Sequence, residues 1–150
     1  MTDAIFDIDG TLADCTHRLH YIKSKPKNWP AFMRGVYEDT VIEPIAIIAR
    51  GWALGNRVIL CSGRSDDVRE ETERWLHDKL WGHWGNKHAA LYMRKSGDYR
   101  SDDIVKEEML DQMLADGYRP VVAVDDRLRC IDLWKRRGLL VLAVNGGGDF

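Results

Sequence analysis

The chain has 150 residues, a formal net charge of −2 and 45% hydrophobic residues, which is typical of one globular domain with a single core. No apolar run reaches the roughly 18 residues of a membrane span, and no basic, apolar leader precedes the first strand, so neither a membrane protein nor a signal peptide is predicted. Three widely spaced cysteines, Cys15, Cys61 and Cys130, fit neither a disulfide framework nor a zinc site and predict reduced thiols in the cytoplasm.

The first half of the chain predicts two strands, two helices and an irregular segment. The apolar run at 4–8 predicts a strand, and 15–43, with two prolines, predicts irregular structure with one or two short helices. A proline near its start and a glycine at its end favour a helix over 44–55. The run at 57–61 predicts a buried strand, and apolar residues at helical spacing predict a helix over 66–81.

The second half continues this alternation with a strand at 89–93, a helix at 102–117, a strand at 121–125, a helix at 127–138 and a strand at 139–144. Alternating strands and helices indicate an α/β fold. We therefore expect a Rossmann-like architecture, in which a parallel five-stranded sheet has helices on both faces.

Polar residues follow four of the five predicted strands at the carboxyl end, which is where open α/β sheets bind ligands. They occupy 7–11, 62–64, the loop that begins at Arg94, and 125–127. Side chains alternate along a strand, so the carboxylates of Asp7 and Asp9 are expected on one face. The four polar clusters should meet at one edge of the sheet.

Four carboxylates at that edge, those of Asp7, Asp9, Asp125 and Asp126, cannot all stay ionised without a cation. Oxygen donors with few histidines or cysteines nearby favour Mg²⁺ over zinc. Aspartate is also a common helix N-cap, so one of Asp125 and Asp126 could have that role alone. The full set predicts a magnesium site.

A metal beside hydroxyl and cationic side chains suits phosphate chemistry. Thr11, Ser62 and the N–H groups of the following turns can donate to phosphate oxygens. Lys106 could reach the same edge or be an exposed lysine paired with the carboxylate four residues before it, and Arg64 and Arg94 could hold phosphate or form surface ion pairs. The sequence lacks the P-loop and dinucleotide glycine motifs, so P-loop binding of a nucleoside triphosphate is not predicted.

One segment, 15–37, contains no acidic residue although the chain as a whole is acidic. Its five lysines and arginines are Arg18, Lys23, Lys25, Lys27 and Arg34. Composition alone leaves two interpretations open, an anionic partner or a solvated loop with a chance bias.

The motifs together resemble those of the haloacid dehalogenase superfamily. DIDGT resembles its first motif, CSGR its second, Lys106 its third and VDDR its fourth, in the same order and at the same strand positions. The runs RKSGDYRSDDIVKEEML, DLWKRRG and the final GDF are similar to the 3′-phosphatase domains of T-even-phage polynucleotide kinase-phosphatases. This second resemblance covers nearly the whole chain.

The resemblance implies a phosphatase with an aspartyl-phosphate intermediate, in which Asp7 is the nucleophile and Asp9 the general acid and base. Ser62 and Lys106 would hold the transferring phosphoryl group. The groups expected to hold Mg²⁺ are the Asp7 side chain, the Asp9 carbonyl oxygen, Asp126 and, directly or through water, Asp125. The expected substrate contacts are Thr11, Arg18, Gly63, Arg64, Arg94 and Asp102.

The resemblance also implies a single phosphatase domain over 1–150, with 15–43 as a small cap over the site, in a bacterial or phage-infected cell. Asp102 would orient Lys106 or an arginine. The expected partner is a phosphorylated nucleic acid end, which makes the chain a polynucleotide 3′-phosphatase in DNA or RNA repair. The alternative is a 5′-nucleotidase acting on free nucleoside monophosphates. A binding module without activity is a third possibility, against which the intact acidic and basic set argues.

Overall fold

The computed structural model describes residues 1–148, so the last two residues of the GDF run lie outside the described part. Within it, the strands are β1 (Asp3–Phe6), β2 (Ala13–Asp14), β3 (Thr40–Val41), β4 (Arg57–Ser65), β5 (His88–Arg94), β6 (Pro120–Arg127) and β7 (Leu140–Gly148). The α-helices are α1 (His20–Lys23), α2 (Trp29–Arg34), α3 (Glu43–Trp52), α4 (Arg69–Trp75), α5 (Asp102–Ala115) and α6 (Leu128–Arg136). No helix in this part of the chain has the length and apolar character needed to cross a bilayer.

Five strands form one sheet in the order β5-β4-β1-β6-β7, and every neighbouring pair is parallel. The central strand, β1, is buried along its whole length. Ala4 and Phe6 pack into a core with α3 and α4, and Ile5 packs into a second core with α5 and α6. Helices therefore cover both faces, and the predicted Rossmann-like fold is confirmed.

The structure moves several predicted boundaries, and the change at the first strand has the largest effect. β1 ends at Phe6 rather than at residue 8, because the chain turns immediately afterwards. The N–H groups of Thr11, Leu12 and Ala13 all donate to the Ile8 carbonyl, at 3.1, 2.9 and 2.9 Å. Asp7 directly follows β1, and its N–H still donates to the Val124 carbonyl of β6 at 3.0 Å. Asp9 comes after Ile8, where the chain turns, so strand alternation does not relate the two side chains.

Other elements differ in extent or regularity. β4 and β6 run to Ser65 and Arg127, so site residues predicted on loops belong to strands. The predicted helix over 66–81 is divided into a 3₁₀ turn (Asp66–Val68), α4 and a π-helical stretch (Leu76–Trp81). Each predicted strand and helix of the main sheet layer is present, but several begin or end at other residues. The exact bounds depend on tertiary packing, which the periodicity of the sequence does not record.

The segment 15–43 contains α1, α2 and two 3₁₀ turns, which confirms the predicted short helices. Its ends are joined by β2 and β3, an antiparallel pair in which Ala13 lies opposite Val41 and Asp14 opposite Thr40. This small sheet was not predicted, because strands of two residues have no readable periodicity. The ladder returns the segment to the point where it left the main sheet. Its role as a cap remains a prediction.

Asp3, the first residue of β1, is only 2% exposed and joins three parts of the chain. Arg57 donates to it from Nε at 2.6 Å and from Nη2 at 2.9 Å, and the Arg119 backbone N–H donates at 2.7 Å. Burial raises the pKa of Asp3, but these hydrogen bonds and the Arg57 charge outweigh that effect and lower the pKa below 3.8. The ionised form is therefore the one that the fold stabilises.

We expect Asp3→Asn to lower the free energy of unfolding by about 1–3 kcal/mol near neutral pH, because the variant keeps the shape and loses the charge-assisted hydrogen bonds. The folded-state pKa lies below the unfolded-state value, so the stabilisation is present above about pH 4 and is lost as the pH falls through the folded-state pKa. Urea unfolding should separate the two proteins near neutral pH, and the difference should be smaller at a pH below the ordinary aspartate value of about 3.9. An equal difference at both pH values would contradict this account.

Candidate active site

Three carboxylates meet at the carboxyl edge of the sheet. Asp7 directly follows β1, and Asp125 and Asp126 lie in the neighbouring strand β6. One oxygen from each lies within 4.8 Å of the others. Asp7 and Asp125 are buried, whereas Asp126 is half-buried. Asp126 is therefore the carboxylate of the cluster that solvent reaches most easily.

Lys106 reaches this cluster from the second turn of α5. Its Nζ donates to Asp7 Oδ1 at 2.8 Å and to Asp125 Oδ2 at 2.9 Å, and the residue is 2% exposed. Trp134 of α6 also donates from Nε1 to Asp125 Oδ2, at 3.0 Å. Lys106 is therefore buried among carboxylates, and the alternative of an exposed lysine paired with Asp102 is wrong.

Thr11 and Gly10 complete the turn that carries Asp7. The fully buried Thr11 hydroxyl lies 3.1 Å from Asp7 Oδ2 and 3.3 Å from Asp126 Oδ1, and can donate to either. Gly10 has a φ of 81°, and a Cβ there would lie 2.1 Å from Asp126 Oδ2. The turn thus needs glycine both for its conformation and for the space that Asp126 occupies. Contact between Thr11 and phosphate stays a prediction.

The charges of this cluster do not balance. Burial raises the pKa of Asp7 well above its ordinary value, and the charges of Asp125 and Asp126 add to the effect, although Lys106 opposes it. The pKa of Asp126 is raised for the same two reasons, burial and the charge of Asp125. Three carboxylates around one ammonium leave an excess of negative charge, and the donors that face each other are all oxygens. That donor set fits Mg²⁺.

Asp9 does not belong to this carboxylate cluster, so the expected four-carboxylate side-chain site is wrong. Its Oδ1 accepts from Arg18 Nη2 and Arg64 Nη2, each at 2.7 Å. Burial raises the pKa of Asp9, but the charges and hydrogen bonds of Arg64 and Arg18 outweigh it and lower the pKa to about 2. The Asp9 carboxylate is therefore paired with arginines, whereas the Asp7 carboxylate is paired with Lys106. The Asp9 carbonyl oxygen as a metal ligand stays a prediction.

Asp39 binds both arginines, and it was not predicted as a site residue from the sequence. It is fully buried and accepts from Arg18 Nε at 2.8 Å, Arg18 Nη2 at 2.7 Å and Arg64 Nη2 at 3.1 Å. His17 Nε2 lies 2.7 Å from its Oδ1. Arg18 and Arg64 are each 1% exposed, so surface ion pairing is wrong for Arg64. Charge balance in the sequence could have indicated Asp39. The segment 15–37 is basic and lacks acidic residues, and Asp39 closely follows it.

A second ionic group surrounds Asp102 at the start of α5. Asp102 is paired with both Arg94 and Arg127. Its role in orienting an arginine at the site stays a prediction. Arg94 also donates from Nε to the Gly63 carbonyl, at 2.8 Å. A Cβ at Gly63 would lie 2.8 Å from Asp102 Oδ1. A larger residue at position 63 would therefore clash with the Asp102 carboxylate, as one at position 10 would with Asp126.

Ser62 lies in the carboxyl-terminal half of β4, and it is buried. Its Oγ accepts from the Arg64 backbone N–H at 3.1 Å, which leaves the hydroxyl proton for another partner. The structure thus brings the predicted residues together at one edge, divided into a carboxylate–lysine cluster and two arginine-bearing groups.

Comparison with known proteins assigns the family. The model of the polynucleotide kinase PNKP phosphatase domain matches residues 2–150. The chain belongs to this PNKP phosphatase-domain family of the haloacid dehalogenase superfamily. It is accordingly a phosphatase.

Two solved chains similar to this PNKP-type phosphatase are described as the Pnkp1/Rnl/Hen1 complex and the Pnkp1/Rnl/Hen1 RNA repair complex. They have 32% and 31% identity, with TM-scores of 0.79 and 0.77 over 99% of this chain. This chain spans only 47% and 43% of their lengths. A haloacid dehalogenase-like hydrolase from Streptococcus pneumoniae, 14% identical over 98% of this chain and 86% of its own, has a TM-score of 0.67 and shares the fold.

We expect Lys106→Met to destabilise the PNKP-type phosphatase by about 3–5 kcal/mol, because buried carboxylates lose the ammonium that contacts them. Turnover of an aryl phosphate should fall with it. Urea unfolding in the presence of a chelator measures the first effect without a bound metal. The control is Lys135→Met on the exposed side of α6, which should change stability by less than about 0.5 kcal/mol. Equal stability of the two variants would show that Lys106 does not compensate the cluster.

We expect Asp39→Asn to reduce stability by about 3 kcal/mol, because Arg18 and Arg64 would be left buried without their shared carboxylate. The same change should also lower kcat/KM, because Arg18 and Arg64 would no longer be held in position against Asp9. The control is Asp132→Asn at an exposed position, which should lower kcat/KM less. Measuring kcat/KM under conditions where both proteins are folded separates the two effects. An unchanged kcat/KM would restrict Asp39 to a structural role.

Proposed function

We propose that this phosphatase is a Mg²⁺-dependent polynucleotide 3′-phosphatase that forms an aspartyl phosphate on Asp7. The observation that supports it most is the fixation of the Asp7 carboxylate. Lys106 holds one oxygen and the Thr11 hydroxyl contacts the other, at the edge of the sheet where ligands of open α/β folds bind. A carboxylate fixed in this way suits in-line attack on a phosphate.

In the first step, an Asp7 oxygen attacks phosphorus and the bond from phosphorus to the 3′ oxygen breaks. Asp9 gives its proton to the departing oxygen, so the nucleic acid leaves as an alcohol. In the second step, Asp9 takes a proton from water, the water oxygen attacks phosphorus, and the bond to Asp7 breaks. Inorganic phosphate leaves and both carboxyl groups return to their starting states.

Asp9 can act as an acid only when it carries a proton, whereas its contacts with Arg18 and Arg64 favour the ionised form. We expect the oxygens of an arriving phosphate to compete with Asp9 for these guanidinium groups, because a guanidinium binds phosphate oxygens in the same bidentate way as a carboxylate. The exchange would raise the pKa of Asp9 when substrate binds. Asp39 would keep both arginines in place during the exchange.

The transferring phosphoryl group needs donors and positive charge. Lys106 supplies an ammonium beside Asp7, and the Ser62 hydroxyl has a free proton at the same edge. The backbone N–H of Gly63 is a further candidate donor. Arg94 and Asp102 would fix the turn that carries Gly63, since Arg94 joins its carbonyl to Asp102.

The residues that would hold Mg²⁺ are Asp7, Asp125 and Asp126, with the Asp9 carbonyl oxygen as a further ligand. When bound, the ion would offset the negative charges that Asp7 and the phosphate bring together. The raised pKa of Asp7 and Asp126 supports the assignment, since a cation would relieve the same repulsion.

A nucleic acid end as substrate is supported by the relatives, one of which is described as an RNA repair complex. The segment 15–43 supports it as well, as a cap whose Lys23, Lys25, Lys27 and Arg34 are exposed. A cavity of about 280 Å³ next to Arg18 is lined by Tyr21 and Arg34, and Trp29 is 45% exposed nearby in sequence. Exposed aromatic and basic side chains are the means by which proteins follow a single strand. Repair in a bacterial or phage-infected cell is the role proposed.

Substrate comparison tests the proposal directly. With Mg²⁺ present, a 3′-phosphorylated oligonucleotide should be hydrolysed with a higher kcat/KM than any 3′- or 5′-mononucleotide, because only the oligonucleotide extends along the basic cap. A chelator should abolish turnover, and added Mg²⁺ should restore it. A preference for 5′-mononucleotides would replace the proposal with the 5′-nucleotidase function. No turnover of the oligonucleotide, the mononucleotides or an aryl phosphate would favour a binding module instead.

The Asp7→Asn variant tests the nucleophile. We expect turnover to fall by at least about 10³-fold with every substrate, since an amide cannot form the acyl phosphate. Stability in chelator should be unchanged or higher, because the substitution removes one charge from a cluster with excess negative charge. Near-normal rates in this variant would show that Asp7 is not the nucleophile.

A further inference from the structure

The segment 15–43 contains a cavity of about 280 Å³ that takes no part in the chemical steps proposed above. Two of its lining residues, His17 and Arg18, connect it to the site. Both contact Asp39, and Arg18 Nη2 also donates to Asp9 Oδ1 at 2.7 Å. One side chain therefore borders the cavity and contacts the proposed acid, so a group bound in the cavity would be close to the reacting end of the substrate.

The inner wall of the cavity is fixed by buried contacts. Arg18 Nη1 donates to the Phe32 carbonyl at 3.1 Å, and the guanidinium carbon lies 4.2 Å from the centre of the Phe32 ring. Gly35 lies against the same wall, where a Cβ would be 3.1 Å from Arg18 Cδ and 3.5 Å from His17 Cε1. A wall that is already ordered lowers the entropic cost of binding a ligand.

The other polar side chains that line the cavity are those of Tyr21, Arg34 and Glu38. None of these three side chains forms a hydrogen bond or an ion pair with another residue in 1–148. Tyr21 is 37% exposed and offers the face of its ring, Arg34 can only donate hydrogen bonds, and Glu38 can only accept them when ionised. The cavity thus combines an aromatic face with an unpaired donor and an unpaired acceptor.

Charge narrows the choice of ligand. The cation of Arg34 is offset by the anion of Glu38, and Arg18 and His17 are already paired with Asp39. A phosphate in the cavity would meet the Glu38 carboxylate, which is unfavourable. A flat, uncharged group with donors and acceptors along its edge has no such conflict, and the nucleobases have this chemistry.

We infer that the cavity binds the nucleobase of the terminal nucleotide, the one that carries the phosphate to be removed. Tyr21 would stack on the face of the base, while Arg34 and Glu38 would form hydrogen bonds with its edge, as is usual for bases recognised outside a duplex. The inference rests on the proposed function, since it requires a nucleic acid end as substrate. It adds which part of that end the segment 15–43 contacts.

Two 3′-phosphorylated oligonucleotides that differ only in the terminal nucleotide test the inference. One carries a base there, and the other carries an abasic tetrahydrofuran residue, so the phosphates and the rest of the strand are identical. With Mg²⁺ present, the native chain should hydrolyse the first with a kcat/KM at least about tenfold higher, because stacking on an aromatic side chain stabilises the bound base.

The Tyr21→Ala and Glu38→Ala variants should each lower this ratio of kcat/KM values by at least about threefold, because each removes one contact with the base. The ratio does not depend on the fraction of folded enzyme, since both substrates are offered to the same sample. The matched control is Trp84→Ala, which should keep the native ratio. Trp84 is 41% exposed, like Tyr21, but it precedes β5 at the opposite edge of the sheet from the site.

Equal kcat/KM values of the native chain for the two oligonucleotides would overturn the inference and leave the proposed function standing. If Arg34→Met then lowered both values equally, the cavity would be assigned to an internucleotide phosphate instead. A native ratio that Tyr21→Ala and Glu38→Ala leave unchanged would also overturn the inference, because the base would be bound elsewhere. Hydrolysis of both oligonucleotides no faster than that of an aryl phosphate would overturn the proposed function together with the inference.

Discussion

The contacts of Lys106 with Asp7 and Asp125 are the interaction on which the site depends. They join α5, the end of β1 and β6, and Lys106 and Asp7 are 99 positions apart along the chain. Burying three carboxylates at the end of a hydrophobic sheet is unfavourable unless positive charge is buried with them. The fold meets that requirement only in part, and the remaining negative charge makes the site suited to a divalent cation.

The same principle separates the two aspartates of the DIDGT turn. Asp7 faces the carboxylates and Lys106, and the pKa of its carboxyl is raised, whereas Asp9 faces Arg18 and Arg64 and the pKa of its carboxyl is lowered to about 2. Two chemically identical groups two residues apart thus occupy opposite electrostatic surroundings. In the proposed mechanism this difference supports separate roles, with Asp7 as the nucleophile and Asp9 as the acid and base. Asp39 maintains the difference because it binds both arginines that contact Asp9.

Most of the fold could be predicted from the sequence, because buried strands and amphipathic helices leave periodic patterns. The five strands of the main sheet and the helices between them were predicted, with bounds that shifted by a few residues. The short pair β2 and β3 was not, since its two-residue strands are held by pairing across a 26-residue separation and have no pattern of their own. The end of β1 was misplaced because Ile8 is apolar but forms the turn.

For the site, the sequence by itself determined which chemical groups are present and in which order they reach the sheet edge. Asp7, Ser62 and Asp126 were named from their positions after predicted strands, whereas Lys106 was named from the resemblance to the family motifs. The tertiary structure alone decided how the charges are shared. It assigned Asp9 to the arginines, buried Arg18 and Arg64, and supplied Asp39 as their common partner. The physical reason is that periodicity records only which face of an element is apolar, whereas charge pairing depends on contacts between segments far apart in the chain.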